Sequence, residues 1–190
     1  MRTPEIIVID DFLMDPDAIR SLALQQTFIK MHSAGVRTKE QFLHVAPYRE
    51  EFERLLGRRL TNWDDNSANG RFQCCLATDA IPYHTDSQSR AGVLFLTPHA
   101  PMDAGLSLYR GRLSGLRRRT SDPGLMELTF GDGAEFDRGR WEEVDRIGNI
   151  YNRLVLFDAE LAHGASAYFG SSITDGRLFQ NFFFNFDAPR

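Results

Sequence analysis

Residues 152–163 read Asn152-Arg153-Leu154-Val155-Leu156-Phe157-Asp158-Ala159-Glu160-Leu161-Ala162-His163. The four apolar residues at 154–157, bounded by polar and turn-forming neighbours, have the pattern of a strand buried on both faces. Residues 159–162 then form a short turn that presents His163 ahead of Gly164. The same texture runs from Arg71 onward, with short apolar runs at 71–76, 81–86, 92–97, 106–110, 125–130, 153–157 and 178–186. Short strands at close spacing predict a sandwich or barrel, not an α/β sheet with crossover helices. Trp141, Val144 and Ile147 predict a short helix or turn before the 153–157 strand. Residues 111–124, rich in Gly, Ser and Arg, read as a mobile rim loop in which Arg117-Arg118-Arg119 is a solvated face.

Upstream, Ile6, Ile7, Val8 and Ile9 predict a strand. Asp15-Pro16 starts a helix, an N-cap acceptor followed by proline at the first helical position, with Ile19, Leu22, Ala23 and Gln26 on one face. A second helix begins near Pro47, places Tyr48, Phe52, Leu55 and Leu56 on one side, and stops at Gly57. Residues 61–70 are polar and loop-like. No internal repeat or linker interrupts the chain, and 190 residues is the size of one ordinary domain. The expectation is one domain over 1–190, with a strand and flanking helices in 1–70 and a β-rich core in 71–186. A chain of this length buries roughly 70% of its unfolded surface, so it needs no disulfide or structural metal to fold.

Composition narrows the function. A net charge of −4 argues against a protein that coats nucleic acid. The two cysteines, Cys74 and Cys75, are adjacent, which excludes a disulfide framework. On a strand they point to opposite faces, so they cannot both ligate one ion, and they read as small buried residues. No apolar stretch approaches the roughly 20 residues of a membrane span, and the first residues lack the longer apolar core and cleavage site of a signal peptide. A soluble, cytoplasmic protein with no membrane partner is expected. Of the 15 phenylalanines, seven fall within 157–186, which predicts a dry, aromatic-lined barrel interior there.

The chemistry centres on Pro82-Tyr83-His84-Thr85-Asp86. Residues i and i+2 of a strand project from one face, about 7 Å apart at Cα, so His84 and Asp86 can converge on one ion. An imidazole and a carboxylate so placed make two-thirds of the facial triad of non-haem iron(II) enzymes. His163 is a candidate third ligand. It follows Asp86 by 77 residues, too many for a local metal loop but suited to a double-stranded barrel, where strands distant in sequence lie side by side. Arg177 follows 14 residues later and opens a Phe-rich strand. A cation there needs a partner, and guanidinium is the planar fork that grips a carboxylate bidentately. Gly105 opens a further short strand, Leu106-Ser107-Leu108-Tyr109-Arg110. His32, His44 and His99 have no partner at ligand spacing and read as surface or structural residues.

Taken in order, His84-x-Asp86, the strand at 92–97, the Gly105 strand, Asn-Arg-Leu-Val-Leu-Phe at 152–157, His163 and Arg177 resemble the Fe(II)/2-oxoglutarate-dependent oxygenase superfamily. The small prolyl-hydroxylase-like members are the nearest in pattern, and the resemblance covers about residues 71–186. It implies a mainly β (α+β) fold, a double-stranded β-helix (jelly roll, cupin-like) with N-terminal flanking helices. It implies that His84, Asp86 and His163 ligate Fe(II), that Arg177 binds the distal carboxylate of 2-oxoglutarate, and that O2 is consumed with release of succinate and CO2. Two departures stand out. The doubled glycine often found before the mid-barrel strand is Ala104-Gly105 here, and the His163 to Arg177 spacing is long, a difference that a turn at Gly170-Ser171-Ser172 would absorb.

Strand alternation from Arg177 puts Phe179, Asn181 and Phe183 on its face. Asn181 and Gln73 are candidates to meet cosubstrate or substrate, or are satisfied core amides. Tyr109 and Arg110 are rim or pocket candidates, and the loops at 88–90 (with Gln88), 111–124 and 132–140 are the candidate selectors of substrate. Because Asp86 is retained, where related halogenases carry a small residue, hydroxylation of a small molecule, an amino acid or a peptide side chain is the expected reaction. The alternatives are a non-catalytic cupin-like ligand-binding module, or a zinc or manganese cupin isomerase or hydrolase.

Overall fold

The computed structural model describes residues 4–31 and 34–187. In chain order the elements are β1 (Ile6–Ile9), α1 (Pro16–Leu24), β2 (Phe28–Ile29), β3 (Val36–Thr38), α2 (Tyr48–Leu56), β4 (Leu60–Thr61), β5 (Phe72–Cys75), β6 (Arg90–Phe95), β7 (Leu106–Gly111), α3 (Pro123–Phe130), two 3-10 turns at Ala134–Phe136 and Arg138–Arg140, β8 (Trp141–Ile147), β9 (Leu154–Asp158), β10 (His163–Ala165) and β11 (Arg177–Phe186). The fold is mostly β, and its strands pair antiparallel. The larger sheet runs β1-β9-β6-β11-β5-β3-β2, with β4 on β11, and the smaller runs β10-β7-β8. Among the described residues no helix is long and apolar enough to cross a membrane.

The ten-residue strand β11 organises the larger sheet, because its alternate side chains serve two different interiors. Leu178, Phe182 and Phe184 face outward beneath α1 and α2, where they join Tyr48, Phe52, Trp63, Phe72 and Leu156 in the largest apolar cluster. Phe52 meets Phe182 edge-on at 5.0 Å and Trp63 at 5.7 Å, geometries that aromatic quadrupoles favour. Gln180 is buried on the same face but satisfied, accepting from Tyr48 Oη at 2.7 Å and donating to the Phe42 and Gly70 carbonyls. Arg177, Phe179, Asn181 and Phe183 face the space between the two sheets, as strand alternation predicts. The phenylalanine excess is therefore divided between the two faces. Phe157, Phe179 and Phe183 border the inter-sheet cavity, while Phe182, Phe184 and Phe186 pack on the helix side. The expectation that this run lines one barrel interior is corrected to that extent.

Both predicted helices form where the caps place them: the Asp15 side chain accepts from Ala18 N, and α2 stops at Gly57. Two expectations are overturned. Residues 125–130, read as a strand, lie in α3, whose start is the same signal used for α1: Asp122 accepts from Gly124 N and Leu125 N, and Pro123 follows. Residues 141–147, read as a helix or turn, form β8, which pairs with β7 along its length. The strand expected at 81–86 shrinks to a single bridge between His84 and His163. The Arg117–Arg119 run is more than a solvated face, since Arg118 ties Glu5 to Asp158 and Arg117 also reaches Glu5. In the loop before β11, Asp175 accepts from Ser171 N and Ser172 N, closing the turn that absorbs the long His163 to Arg177 spacing.

Candidate metal centre

Two chain segments hold the three candidate ligands, and backbone hydrogen bonds lock one segment to the other. His84 N donates to His163 O at 3.0 Å, and His163 N donates back to His84 O at 2.8 Å. Asp86 N donates to Ala159 O at 2.8 Å. The turn after β9 is closed by Asp158, which accepts from Glu160 N at 3.1 Å, so the apolar strand delivers His163 at a fixed height. The imidazole centroids of His84 and His163 then lie 4.4 Å apart. One ligand atom from each of His84, Asp86 and His163 lies within 4.8 Å of the others, the only such group of three or more metal-ligating side chains among the described residues.

The orientation of the rings matters as much as their proximity. His163 Nδ1 lies 2.8 Å from Leu161 O, and His84 Nδ1 lies 3.4 Å from Pro82 O. A carbonyl only accepts, so in the neutral ring each Nδ1 carries the proton and each Nε2 presents a lone pair. Those lone pairs face a carboxylate: His84 Nε2 is 3.7 Å from Asp86 Oδ1, and His163 Nε2 is 3.4 Å from Oδ2. Asp86 Oδ2 is buried and makes no hydrogen bond of good geometry. Two nitrogen lone pairs and an orphaned carboxylate oxygen, all acceptors and all converging, fit a divalent cation. Phe157 lies across His163 at 4.7 Å and fixes its ring.

The protonation states agree with ligation, which needs neutral imidazole and ionised carboxylate. Desolvation holds His84 down at about 4, with the neighbouring His163 adding to the effect and Asp86 opposing it, although 38% of the side chain opens to the cavity. For Asp86, burial pushes upward, but the hydrogen bond and positive charge that His163 and His84 supply when protonated, together with the Arg37 guanidinium, outweigh it and leave the carboxyl below its usual range.

These ligands border a cavity of about 450 Å³ between the sheets. Arg177 closes one end and is only 2% exposed. Its Nε donates to Ala104 O at 3.1 Å and its Nη2 to Gly105 O at 2.9 Å, and its guanidinium lies over Phe179 at 4.3 Å and Phe95 at 5.2 Å. Among the described residues no carboxylate pairs with it, and desolvation lowers its pKa. The Ala104-Gly105 departure has a physical basis here: a Cβ at Gly105 would stand 1.9 Å from Ile147 O, whereas Ala104 is accommodated.

Gln73, Asn181 and Gln88 all border the cavity. Gln73 Oε1 accepts from Asn181 Nδ2 at 2.6 Å and from Arg37 Nε at 2.8 Å, and its Nε2 donates to Ala34 O at 2.9 Å, so this amide is satisfied within the protein. Tyr109 and Arg110, the rim or pocket candidates, do not line the cavity. The register shifts between Leu108 and Tyr109, and the Tyr109 ring turns into a separate cluster with Tyr83 and Trp141. Arg110 is exposed and pairs with Glu142 at 2.8 Å. His44 is exposed near Asp64 and His99 sits on an exposed turn, both away from the centre, while His32 lies outside the described residues. Sequence reasoning missed Arg37. The available signal was a lone arginine between the β-branched Val36 and Thr38, directly after Gly35.

The chain matches no protein-family model and no curated protein. Among solved structures it is similar to HygX from Streptomyces hygroscopicus with nickel and 2-oxoglutarate bound, at a TM-score of 0.58 and 13% identity over 94% of this chain and 82% of that one. A prolyl-4-hydroxylase from Pseudomonas putida aligns at 0.51 and 13% identity over 97% and 94%. A prolyl hydroxylase from Trichoplax adhaerens, in complex with a hypoxia inducible factor oxygen degradation domain peptide fragment, aligns at 0.52 and 13% over 96% and 84%. The fold is thus shared, over most of the chain, with iron- and 2-oxoglutarate-dependent oxygenases.

Proposed function

We propose that this chain is an Fe(II)- and 2-oxoglutarate-dependent dioxygenase, a single oxygenase-like domain that hydroxylates a small molecule, an amino acid or a peptide side chain. The observation that carries this reading is one cavity with two unmet demands. Three converging acceptors at His84, Asp86 and His163 call for a cation, and a buried guanidinium at Arg177 calls for a carboxylate. The strand order supports a double-stranded β-helix. Going along the chain from β5, the path changes sheet at every step except β7 to β8, with β5, β6, β9 and β11 in the larger and the His84 bridge, β7, β8 and β10 in the smaller. HygX has been seen with hygromycin B bound and the Trichoplax enzyme with a peptide, so this fold receives ligands of both kinds.

Bound at this centre, Fe(II) would supply the oxygen chemistry that couples decarboxylation of 2-oxoglutarate, to succinate and CO2, with hydroxylation of a substrate C–H bond. The chain's own residues do the rest. His84 and His163 turn their Nε2 atoms toward the metal position because the Pro82 and Leu161 carbonyls accept from Nδ1. Asp86 supplies the anionic ligand. Arg177 grips the far carboxylate of the cosubstrate, and its aromatic surroundings strengthen that pairing by excluding water. Anaerobic addition of Fe(II) and 2-oxoglutarate should give a weak visible charge-transfer band that His84→Ala abolishes. Absence of the band from the wild type, together with no succinate formation under air, would sink the proposal.

A further inference from the structure

The cavity contains a second guanidinium that neither the metal centre nor the cosubstrate anchor uses. Arg37 lies on β3 directly opposite Gln73 of β5, and its side chain borders the same cavity as the metal centre. The approach of β3 to β5 depends on Gly35, where φ is +60° and a Cβ would stand 2.2 Å from Cys74 O. Arg37 Nε donates to Gln73 Oε1, and Gln73 is held in turn by Asn181 and Ala34, so the base of the guanidinium is fixed. That leaves the two Nη groups as a planar fork. Among the described residues no carboxylate forms an ion pair with Arg37; Asp86 acts on it only through space. A divalent cation that takes up the charge of Asp86 removes that through-space counter-charge from the half-buried Arg37 guanidinium.

The two arginines differ in a way that assigns their ligands. Arg177 is sealed at the closed end, suited to a cosubstrate group that is the same in every turnover. Arg37 is only half-buried, and its charge is felt by both His84 and Asp86. A cavity of about 450 Å³ is near the lower end for ligand sites, so with 2-oxoglutarate inside, the remaining room suits a group the size of an amino acid or small organic acid. Resting on the oxygenase reading of this site, we infer that the substrate is a small molecule with a free carboxylate, which Arg37 binds through its Nη fork beside the metal centre.

Calorimetry on protein loaded with redox-inert Zn(II) and then 2-oxoglutarate tests this with a panel of amino acids and small organic acids, each paired with its primary amide. At least one acid should bind, and its amide should bind weaker by about tenfold or more, the loss expected for a charge-assisted hydrogen bond. Arg37→Gln should erase that ratio and Arg37→Lys restore part of it, with 2-oxoglutarate affinity at the wild-type level in both. The inference is overturned if acids and amides bind equally, or if no acid in the panel binds. It is also overturned if Arg37→Gln weakens 2-oxoglutarate, which would make Arg37 a second cosubstrate anchor. Failure of the Zn(II)-loaded wild type to bind 2-oxoglutarate, read before any panel member is added, would bring down the oxygenase reading itself.

Discussion

Arg177 shows how a single residue can be costly to the fold and useful to the site. Its charge is buried at the end of the cavity, and among the described residues its only hydrogen-bond partners are the carbonyls of Ala104 and Gly105. Three rings, from Phe95, Tyr168 and Phe179, lie within cation–π range. Rings and carbonyls soften the desolvation of a guanidinium but leave it short of an anion. A dicarboxylate that enters the cavity meets that need, so its binding should stabilise the folded state by mass action. At a hundredfold excess over Kd the gain is about 2.7 kcal/mol. In metal-loaded protein, 2-oxoglutarate should therefore raise the Tm of the wild type by several degrees, while Arg177→Met, which keeps the apolar contacts but not the charge, should show no response. A thermal shift of equal size in the variant would remove Arg177 as the anchor.

At the scale of elements, the two faces of β11 separate stability from function. Phe52 of α2 is fully buried against Tyr48, Trp63, Phe182 and Phe184, on the face of the sheet opposite the metal centre. Phe52→Ala should cost about 3–5 kcal/mol, read from urea denaturation, yet leave the Fe(II)–2-oxoglutarate band unchanged in the fraction that remains folded. Loss of the band without loss of stability would mean the faces are coupled. The strands that build this arrangement were legible because β5, β6, β7, β9 and β11 are apolar runs ended by turn residues. The His84, Asp86 and His163 cluster was legible because spacing two apart within a strand-like segment, and a histidine just past an apolar strand, are local patterns. Elsewhere local pattern misled. Residues 125–130 are apolar enough for a strand, but the Asp122-Pro123 cap decides for helix. Trp141, Val144 and Ile147 are spaced by three, yet pairing with β7 overrides that period. For Arg37 the local signal, an arginine between Val36 and Thr38, marked at most a strand residue; its place at the cavity follows from pairing between β3 and β5 across 36 residues.

For the whole molecule, the first seventy residues complete the β-rich core, and they do so at three separate places. The strand β1 covers the outer edge of β9 from Ile6 opposite Phe157 to Ile9 opposite Leu154. The strand β3 covers β5 and carries Arg37 to the cavity. Ile19, Ala23, Leu43, Tyr48, Phe52, Leu60 and Trp63 supply one side of the largest apolar cluster. On the other side of that cluster stand Phe72, Leu94, Leu96, Leu156, Leu178, Phe182 and Phe184, all from the segment after residue 70. Cutting the chain at residue 71 would therefore strip one face of the larger sheet and take a partner from three of its strands, β5, β9 and the end of β11. An exposed apolar sheet face with open edges favours association with other copies over folding alone. A fragment of residues 71–187 contains all three candidate metal ligands and Arg177, so the sequence motif alone would leave it competent. It should nevertheless elute as aggregate in size exclusion and show no cooperative thermal transition by circular dichroism. A monomeric fragment that melts cooperatively and still forms the Fe(II)–2-oxoglutarate band would show that the helical layer is dispensable to the metal centre.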